Sequence, residues 1–105
     1  MEHPTIDSRL HVELWTSWAS LLRSYAAAHG LNASQHAVVE VSADEITLRV
    51  GARWLRFTPD AVEASDAAPQ LFALTEDGSV SVAGSPPEDM DMAAERFARH
   101  MMHGT

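Results

Sequence analysis

Hydrophobic and polar positions alternate between residues 37 and 57 and predict a three-stranded antiparallel meander. From Ile46 to Val50 almost every second side chain is apolar, which is the period of a half-buried strand. Gly51-Ala52 follows as a two-residue turn, with glycine at the first central position that a type II′ hairpin requires. Closing this turn places Leu48 directly beside Leu55 on the next strand.

The pairing that follows from this turn collects the apolar side chains on one face of the sheet. That face holds Ala37, Val39, Val41, Ile46, Leu48, Val50, Leu55 and Phe57. A shift of one residue would move the whole set into water, so the register is well specified. We therefore predict that Leu48 pairs with Leu55 and Ile46 with Phe57, and that all four are buried.

Apolar residues at three- and four-residue spacing predict a long helix before the meander and another at the end of the chain. The first helix begins with a cap at Asp7 or Ser8 and runs to about His29. The second helix has Ser85 as its predicted cap, with Glu88 three residues later, which is the spacing of a capping box.

Between the meander and the last helix, residues 71–74 and 80–82 predict a hairpin that turns at Gly78. The small and acidic connector at residues 59–69 is expected to be a loop or one short helix. The whole is a single α+β domain over residues 1–105. Its predicted architecture is a five-stranded antiparallel sheet, made of the meander and the hairpin, with the N- and C-terminal helices packed on one face.

Charge and composition narrow the functional classes. The 105 residues include 15 acidic and 7 basic side chains, so the formal charge is 7 minus 15, or −8. A protein this acidic repels nucleic acid and anionic membranes. The basic residues are all Arg, and the absence of Lys and Cys excludes thiol nucleophiles, disulfides and Schiff-base chemistry. Because the sequence shows no signal-peptide pattern and no apolar stretch of ~20 residues, we expect a cytoplasmic protein. The many Ala and the use of Arg as the basic residue are typical of a GC-rich bacterial genome.

No catalytic, cofactor or metal site is expected. His100 and His103 lie three residues apart on the last helix, but two imidazoles are too few for a closed metal site. The paired carboxylates, such as Glu76-Asp77, fall in predicted turns or at a helix start, where acidic residues are ordinary. The serines lack the context of a nucleophile elbow.

Two surfaces are candidates for protein contact. The first is the outer-face patch of the sheet, formed by Val38, Arg49, Trp54 and Arg56. In the predicted register Arg49 lies opposite Trp54 and forms a cation–π pair, and both residue types are enriched in interface hot spots. The alternative is that these arginines cover an exposed Trp and protect the sheet face from aggregation.

The second candidate surface is the helix edge, formed by Val12, Trp15 and Ala19. These residues lie at the margin of an apolar arc that is wider than packing on one sheet requires. We expect a two-fold homodimer in which this edge is the buried interface. The outer-face patch is less suitable, because its charges are costly to bury unpaired.

The order of elements is similar to that of bacterial type III secretion chaperones, which are small, acidic and usually dimeric. The residues of this resemblance are the helix ending at Gly30-Leu31, the meander, Gly78 between short strands, and a closing helix through Phe97. The resemblance implies a chaperone- or adaptor-like partner of other proteins, at the level of fold.

Two functional hypotheses follow from these patterns. The first is a protein–protein interaction module without catalytic activity. The alternative is a small enzyme or ligand-binding domain with a pocket between the helices and the sheet. A filled core with an apolar surface patch would favour the first, and a deep pocket lined by polar groups would favour the second.

Overall fold

The computed structural model describes residues 8–31, 35–83 and 85–103. The described elements are helix α1 (Ser8–Gly30), strands β1 (Ala37–Val41), β2 (Ile46–Val50), β3 (Arg53–Thr58), β4 (Ala61–Ala64), β5 (Ala67–Leu74), β6 (Ser79–Val82) and β7 (Glu88–Asp89), and helix α2 (Met90–His103). The strands form one antiparallel sheet in chain order, and the two helices pack against each other and against one face of that sheet. The α+β class is as expected, with seven strands instead of five.

The predicted register of the meander is confirmed. Leu48 pairs with Leu55 and Ile46 with Phe57, and all four side chains are buried. The turn between β2 and β3 has Gly51 at a φ of 61°, while Ala52 is not left-handed, which fits the type II′ geometry.

The predicted hairpin at the end of the sheet is confirmed as well. Phe72 pairs with Val82 and Leu74 with Val80. Gly78 has a φ of 83°, the left-handed conformation that a three-residue turn needs and that glycine adopts without steric cost.

The connector at residues 59–69 is extended, so the expectation of a loop or short helix there is wrong. Pro59-Asp60 forms a tight turn that pairs Thr58 with Ala61, and β4 continues along β3 with Val62 buried opposite Phe57. The physical reason is that β3 has a free side after pairing with β2, and its backbone groups need partners. Tertiary pairing here overrides the helix preference of alanine.

The start of the last helix also differs from the expectation. Glu88 and Asp89 form a short strand with β6, so the predicted capping box at Ser85 does not form. Asp89 is the cap instead, because its Oδ1 accepts a hydrogen bond of 2.9 Å from the N–H of Asp91. At the other end of the chain α1 begins at Ser8, and the alternative cap Asp7 lies outside the described residues.

Four aromatic rings form the centre of the core. Trp18 of α1 contacts Phe57 of β3, Phe72 of β5 and Phe97 of α2, at ring-centroid distances of 5.4, 5.7 and 6.1 Å. The rings meet mostly edge to face or tilted, which is the geometry that their quadrupoles favour. Both helices are thereby held on the same face of the sheet as the predicted apolar set.

We predict that Leu48→Ala lowers the free energy of unfolding by ~2–5 kcal/mol, because Leu48 is completely buried and the truncation leaves a cavity. Chemical denaturation measures this difference. Val38→Ala on the adjacent strand is the matched control; Val38 is exposed, so its truncation is expected to change stability by no more than about 0.5 kcal/mol. Similar losses for the two variants would contradict the assigned core face.

Candidate functional site

The structure divides the predicted helix edge between core and surface. Trp15 and Ala19 are each only 4% exposed, whereas Val12 is 60% exposed. The indole Nε1–H of Trp15 donates a hydrogen bond of 2.9 Å to the backbone oxygen of Ser42, which attaches α1 to the loop after β1. Trp15 is therefore part of the packing of the domain, and Val12 alone presents apolar surface from this set.

All three residues of the helix edge nevertheless line one groove, which runs between α1 and β1. Helix α1 passes β1 in the antiparallel sense, and two cavities lie along their border. The first has a volume of about 230 Å³ and is lined by Val12, Trp15, Thr16, Ala19, Ser20, Arg23, Val41, Ser42 and Ala43. The second has a volume of about 430 Å³ and is lined by Arg23, Ala26, Ala27, Gly30, Leu31, His36, Ala37 and Val39. We call the two cavities together the α1–β1 groove.

Small side chains on α1 account for the groove. The helix presents Ala19, Ser20, Ala26, Ala27 and Gly30 along its border with β1. Larger side chains at these positions would fill the space between the helix and the strand. The lining is mainly apolar, and Arg23 lines both cavities.

Strand β1 is the open edge of the sheet. Within the described part of the chain it pairs only with β2, whereas the opposite edge, β7, is two acidic residues long and continues directly into α2. Strand β1 is five residues long, and Val38 and Val41 on it are 50% and 40% exposed. A long apolar edge strand is a template for pairing with another chain, and proteins usually shorten, charge or cover such an edge.

The backbone of β1 shows which groups are available at this edge. Ser42 N–H donates a bond of 2.8 Å to Glu45 O, directly after the Val41–Ile46 pair. Hydrogen-bonded and non-hydrogen-bonded residue pairs alternate in an antiparallel ladder. The backbone N–H and C=O groups of Glu40 and Val38 therefore bond to β2. The N–H and C=O groups of the alternate residues therefore point away from the sheet, namely those of Ala37, Val39 and Val41.

Arg23 is the charged side chain shared by both cavities of the groove. It is exposed, and no ion pair or hydrogen bond of its guanidinium occurs with any described residue. Each other Arg in the described ranges has a partner: for example, Arg9 lies 4.0 Å from Glu13, and Arg53 donates a bond of 3.2 Å to His100 O. Arg23 is thus without an ion partner among the described residues, and it lies beside an apolar groove in an acidic protein.

Sequence reasoning missed both Arg23 and Val41, although a signal for Arg23 was present. The positions three and four residues away on the helix, which are its neighbours on the helix surface, are Ala19, Ser20, Ala26 and Ala27. None of these is acidic, so no local ion pair is available to this Arg. The exposure of Val41 had no local signal, because it depends on β1 being an edge.

The outer-face patch is largely neutralised by its own neighbours. The Arg49 guanidinium lies 3.3 Å from Glu40, and Arg56 lies 3.3 Å from Glu45 and 3.1 Å from Glu63. Trp54 is half-buried beneath this layer. The patch therefore offers paired charges rather than free ones among the described residues.

The stacking partner of Trp54 also differs from the expectation. Arg49 does lie opposite Trp54 in the register, but the guanidinium over the ring is that of Arg56, at 4.7 Å from its centroid. Arg56 follows Trp54 by two residues on the same strand, so both point to the same face. Val38, the fourth member of the patch, lies opposite Arg49 and remains exposed.

A row of polar contacts joins the two helices on the side away from the groove. Tyr25 OH donates a hydrogen bond to Asp91, and His29 Nε2 lies 2.9 Å from Glu95 Oε2. Glu95 also pairs with Arg99, one turn further along α2, at 3.0 Å. The contacts of Tyr25 and His29 cross-link α1 and α2, whereas the Glu95–Arg99 pair lies within α2.

The histidines and carboxylates were the sequence candidates for metal or acid–base chemistry. No group of three or more side chains of the metal-binding types occurs among the described residues. His103 instead lies against the His29 ring at 5.1 Å. Hydrogen bonds from Thr75 and Ser79 hold the pKa of Asp77 below its ordinary value, so this carboxylate serves the turn between β5 and β6.

Comparison with known protein families, curated proteins and solved structures finds no match to this chain. The likeness to secretion chaperones accordingly stays at the order of elements, and the two additional strands, β4 and β7, change that order. Within the described residues neither helix has the length and apolarity required to cross a membrane.

We predict that Tyr25 ionises above the ordinary tyrosine value of 10.0. Its hydrogen bond to Asp91 is the main cause of the raised pKa, followed by partial burial and the negative charges nearby. The folded protein favours the neutral phenol, so this contribution to stability is present below pH 10.0 and is lost as the pH rises through the folded-state pKa.

The chain has a single Tyr, so ultraviolet absorbance of tyrosinate during an alkaline titration reports this group alone. Asp91→Asn is the matched variant, which removes the negative acceptor and is expected to return the midpoint towards 10.0. A wild-type midpoint at or below the ordinary value would contradict the contact.

Proposed function

We propose that this chain is a small, acidic protein–protein interaction module without catalytic activity, which binds its partner through the edge of β1 and the α1–β1 groove. The observation that supports this most is an open five-residue edge strand lying directly beside a mainly apolar groove. The proposal includes a bacterial origin and a cytoplasmic location, which the composition favours, and an adaptor-like role.

The edge and the groove together suit binding by strand addition. A partner strand would form hydrogen bonds with the outward N–H and C=O groups of Ala37, Val39 and Val41. These backbone bonds supply affinity that does not depend on the partner's sequence. Every second side chain of the partner would then point into the groove, because successive side chains of a strand alternate between faces. Those side chains supply specificity.

The packing of the interior supports this hypothesis over an enzyme or ligand-binding domain. The space between the helices and the sheet contains Trp18, Phe57, Phe72 and Phe97 in mutual contact. The α1–β1 groove lies at the edge of the sheet, and its lining is mainly apolar, so few polar groups are available in it to bind a small ligand.

The experiment is a selection from a library of random peptides displayed on phage, with the wild-type protein as bait. The selected peptides are then measured against Val41→Pro and Val41→Ala. Proline removes the outward N–H of Val41 and leaves the ladder with β2 intact, since that N–H does not bond to β2. Alanine removes the same side chain but keeps the donor.

We expect the selected peptides to bind Val41→Pro about tenfold or more weakly than Val41→Ala, because a backbone bond is lost and the proline ring occupies the approach of the partner strand. Thermal melting checks that both variants are folded. As a second measurement, peptide binding should slow amide exchange at Ala37, Val39 and Val41. A selection that yields no binder, or binders that leave these amides unprotected, would contradict the proposed function.

The expected homodimer stays a prediction, and exposed Val12 is the member of the helix edge that can test it. Trp15→Glu would disrupt the core, since Trp15 is buried, whereas Val12→Glu changes only the surface. We expect the wild type to sediment as a dimer at high micromolar concentration and Val12→Glu as a monomer. Because Val12 also lines the groove, a second copy and a bound partner segment would exclude each other. A wild-type monomer would refute self-association, and a dimer split only by Trp54→Glu would place the interface on the outer-face patch.

A further inference from the structure

We propose that the α1–β1 groove binds an extended segment of another protein. The segment has an Asp or Glu, with one apolar residue two positions before it and another two positions after it. The segment adds to β1 as a strand, its carboxylate pairs with Arg23, and its apolar side chains enter the two cavities. This inference rests on the proposed function and specifies the chemistry of the partner.

The geometry of the groove determines this spacing. Its floor along β1 is formed by Val41, Val39 and Ala37, with Val41 at the smaller cavity and the other two at the larger. The helix wall has Ala19 in the smaller cavity and Ala27 in the larger, eight residues apart, which is ~12 Å along a helix. Side chains four residues apart on a strand are ~13 Å apart, so one strand can place a side chain in each cavity.

The middle position of such a strand faces the border between the cavities, where Arg23 lies. A carboxylate there would give the guanidinium the ion partner that it lacks among the described residues, with two donors available to two oxygens. A basic residue at this position would meet a like charge. An apolar residue would cover the guanidinium and leave it without an acceptor.

A second copy of this chain satisfies the groove less well. Its own β1 would present only Ala37, Val39 and Val41 on the groove side, because Glu40 points to the other face and pairs with Arg49 at 3.3 Å. A two-fold axis at Val39 would also bring both Arg23 side chains towards the same axis, which is repulsive. The free cation therefore favours a foreign acidic segment over self-pairing.

The test uses the peptides selected on the wild-type protein. We expect them to share an acidic residue with an apolar residue two positions before and two positions after it. The probe is then a synthetic peptide with Val, Glu and Val at alternate positions and Thr between them, capped at both ends. Its matched control has Gln in place of Glu.

Fluorescence polarisation measures binding of both peptides to wild type, Arg23→Gln and Arg23→Glu. We expect Arg23→Gln to weaken binding of the Glu peptide about threefold or more, as removal of a partly exposed ion pair does. Binding of the Gln peptide should stay nearly unchanged. Charge reversal in Arg23→Glu should weaken binding of the Glu peptide on the order of tenfold and strengthen binding of a peptide with Arg at the same position.

Arg9→Gln is the control on the protein side, because Arg9 is exposed on the same helix, pairs with Glu13 and lies outside the groove. It should not alter binding of either peptide. If Arg9→Gln and Arg23→Gln weaken binding equally, the effect comes from the net charge of the protein and not from the groove, which would overturn the inference.

The remaining outcomes separate this inference from the proposed function. Selected peptides that depend on the N–H of Val41 but have no acidic residue, or ignore Arg23, would overturn the acidic-segment inference and leave the interaction module standing. Self-association through β1 that excludes peptides would identify a second copy as the occupant and likewise overturn it. The absence of any β1-dependent binding would overturn both.

Discussion

The contact of Trp18 with three phenylalanine rings determines how the rest of the domain is arranged. The four rings, including that of Trp18, come from α1, β3, β5 and α2, so one cluster connects both helices with the middle of the sheet. Trp18 is completely buried, and its Nε1–H has no hydrogen-bond partner within the described structure. An unsatisfied buried donor costs about 1–3 kcal/mol, so the apolar and aromatic contacts of the cluster must exceed that penalty for this packing to persist.

The position of α1 leads directly to the candidate interaction surface. Trp18 holds the helix over the sheet, and the bond from Trp15 to the Ser42 carbonyl attaches its first half to the end of β1. The small side chains on its border with β1 then leave a groove instead of a closed contact. The same packing that completes the core therefore leaves the edge of β1 uncovered by the rest of the described chain.

Charge is distributed so that this surface differs from the rest of the molecule. The arginines of the outer face lie within 3.3 Å of glutamates, which keeps that face polar and without a free cation. The short edge at β7 is acidic and continues into a helix. Arg23 is different, because the helix supplies it with only alanine and serine neighbours at ion-pair spacing. Binding of an acidic strand is consistent with this contrast, even though the net charge of the chain is −8.

The amino-acid sequence by itself determined the elements whose structure depends on nearby residues. The β2–β3 hairpin follows from a glycine at the first turn position and from alternation, and the β5–β6 hairpin follows from Gly78 and its flanking apolar pairs. Tertiary structure decided three further features: the extended form of residues 61–64, the cap at Asp89, and the burial of Trp15. The physical reason is shared by all three. Each depends on a partner outside the segment itself — the free side of β3, the edge of β6 and the loop after β1 — and the propensity of the segment contains no information about that partner. The candidate site belongs to this second class, since an edge strand is defined only by the absence of a neighbour in the assembled sheet.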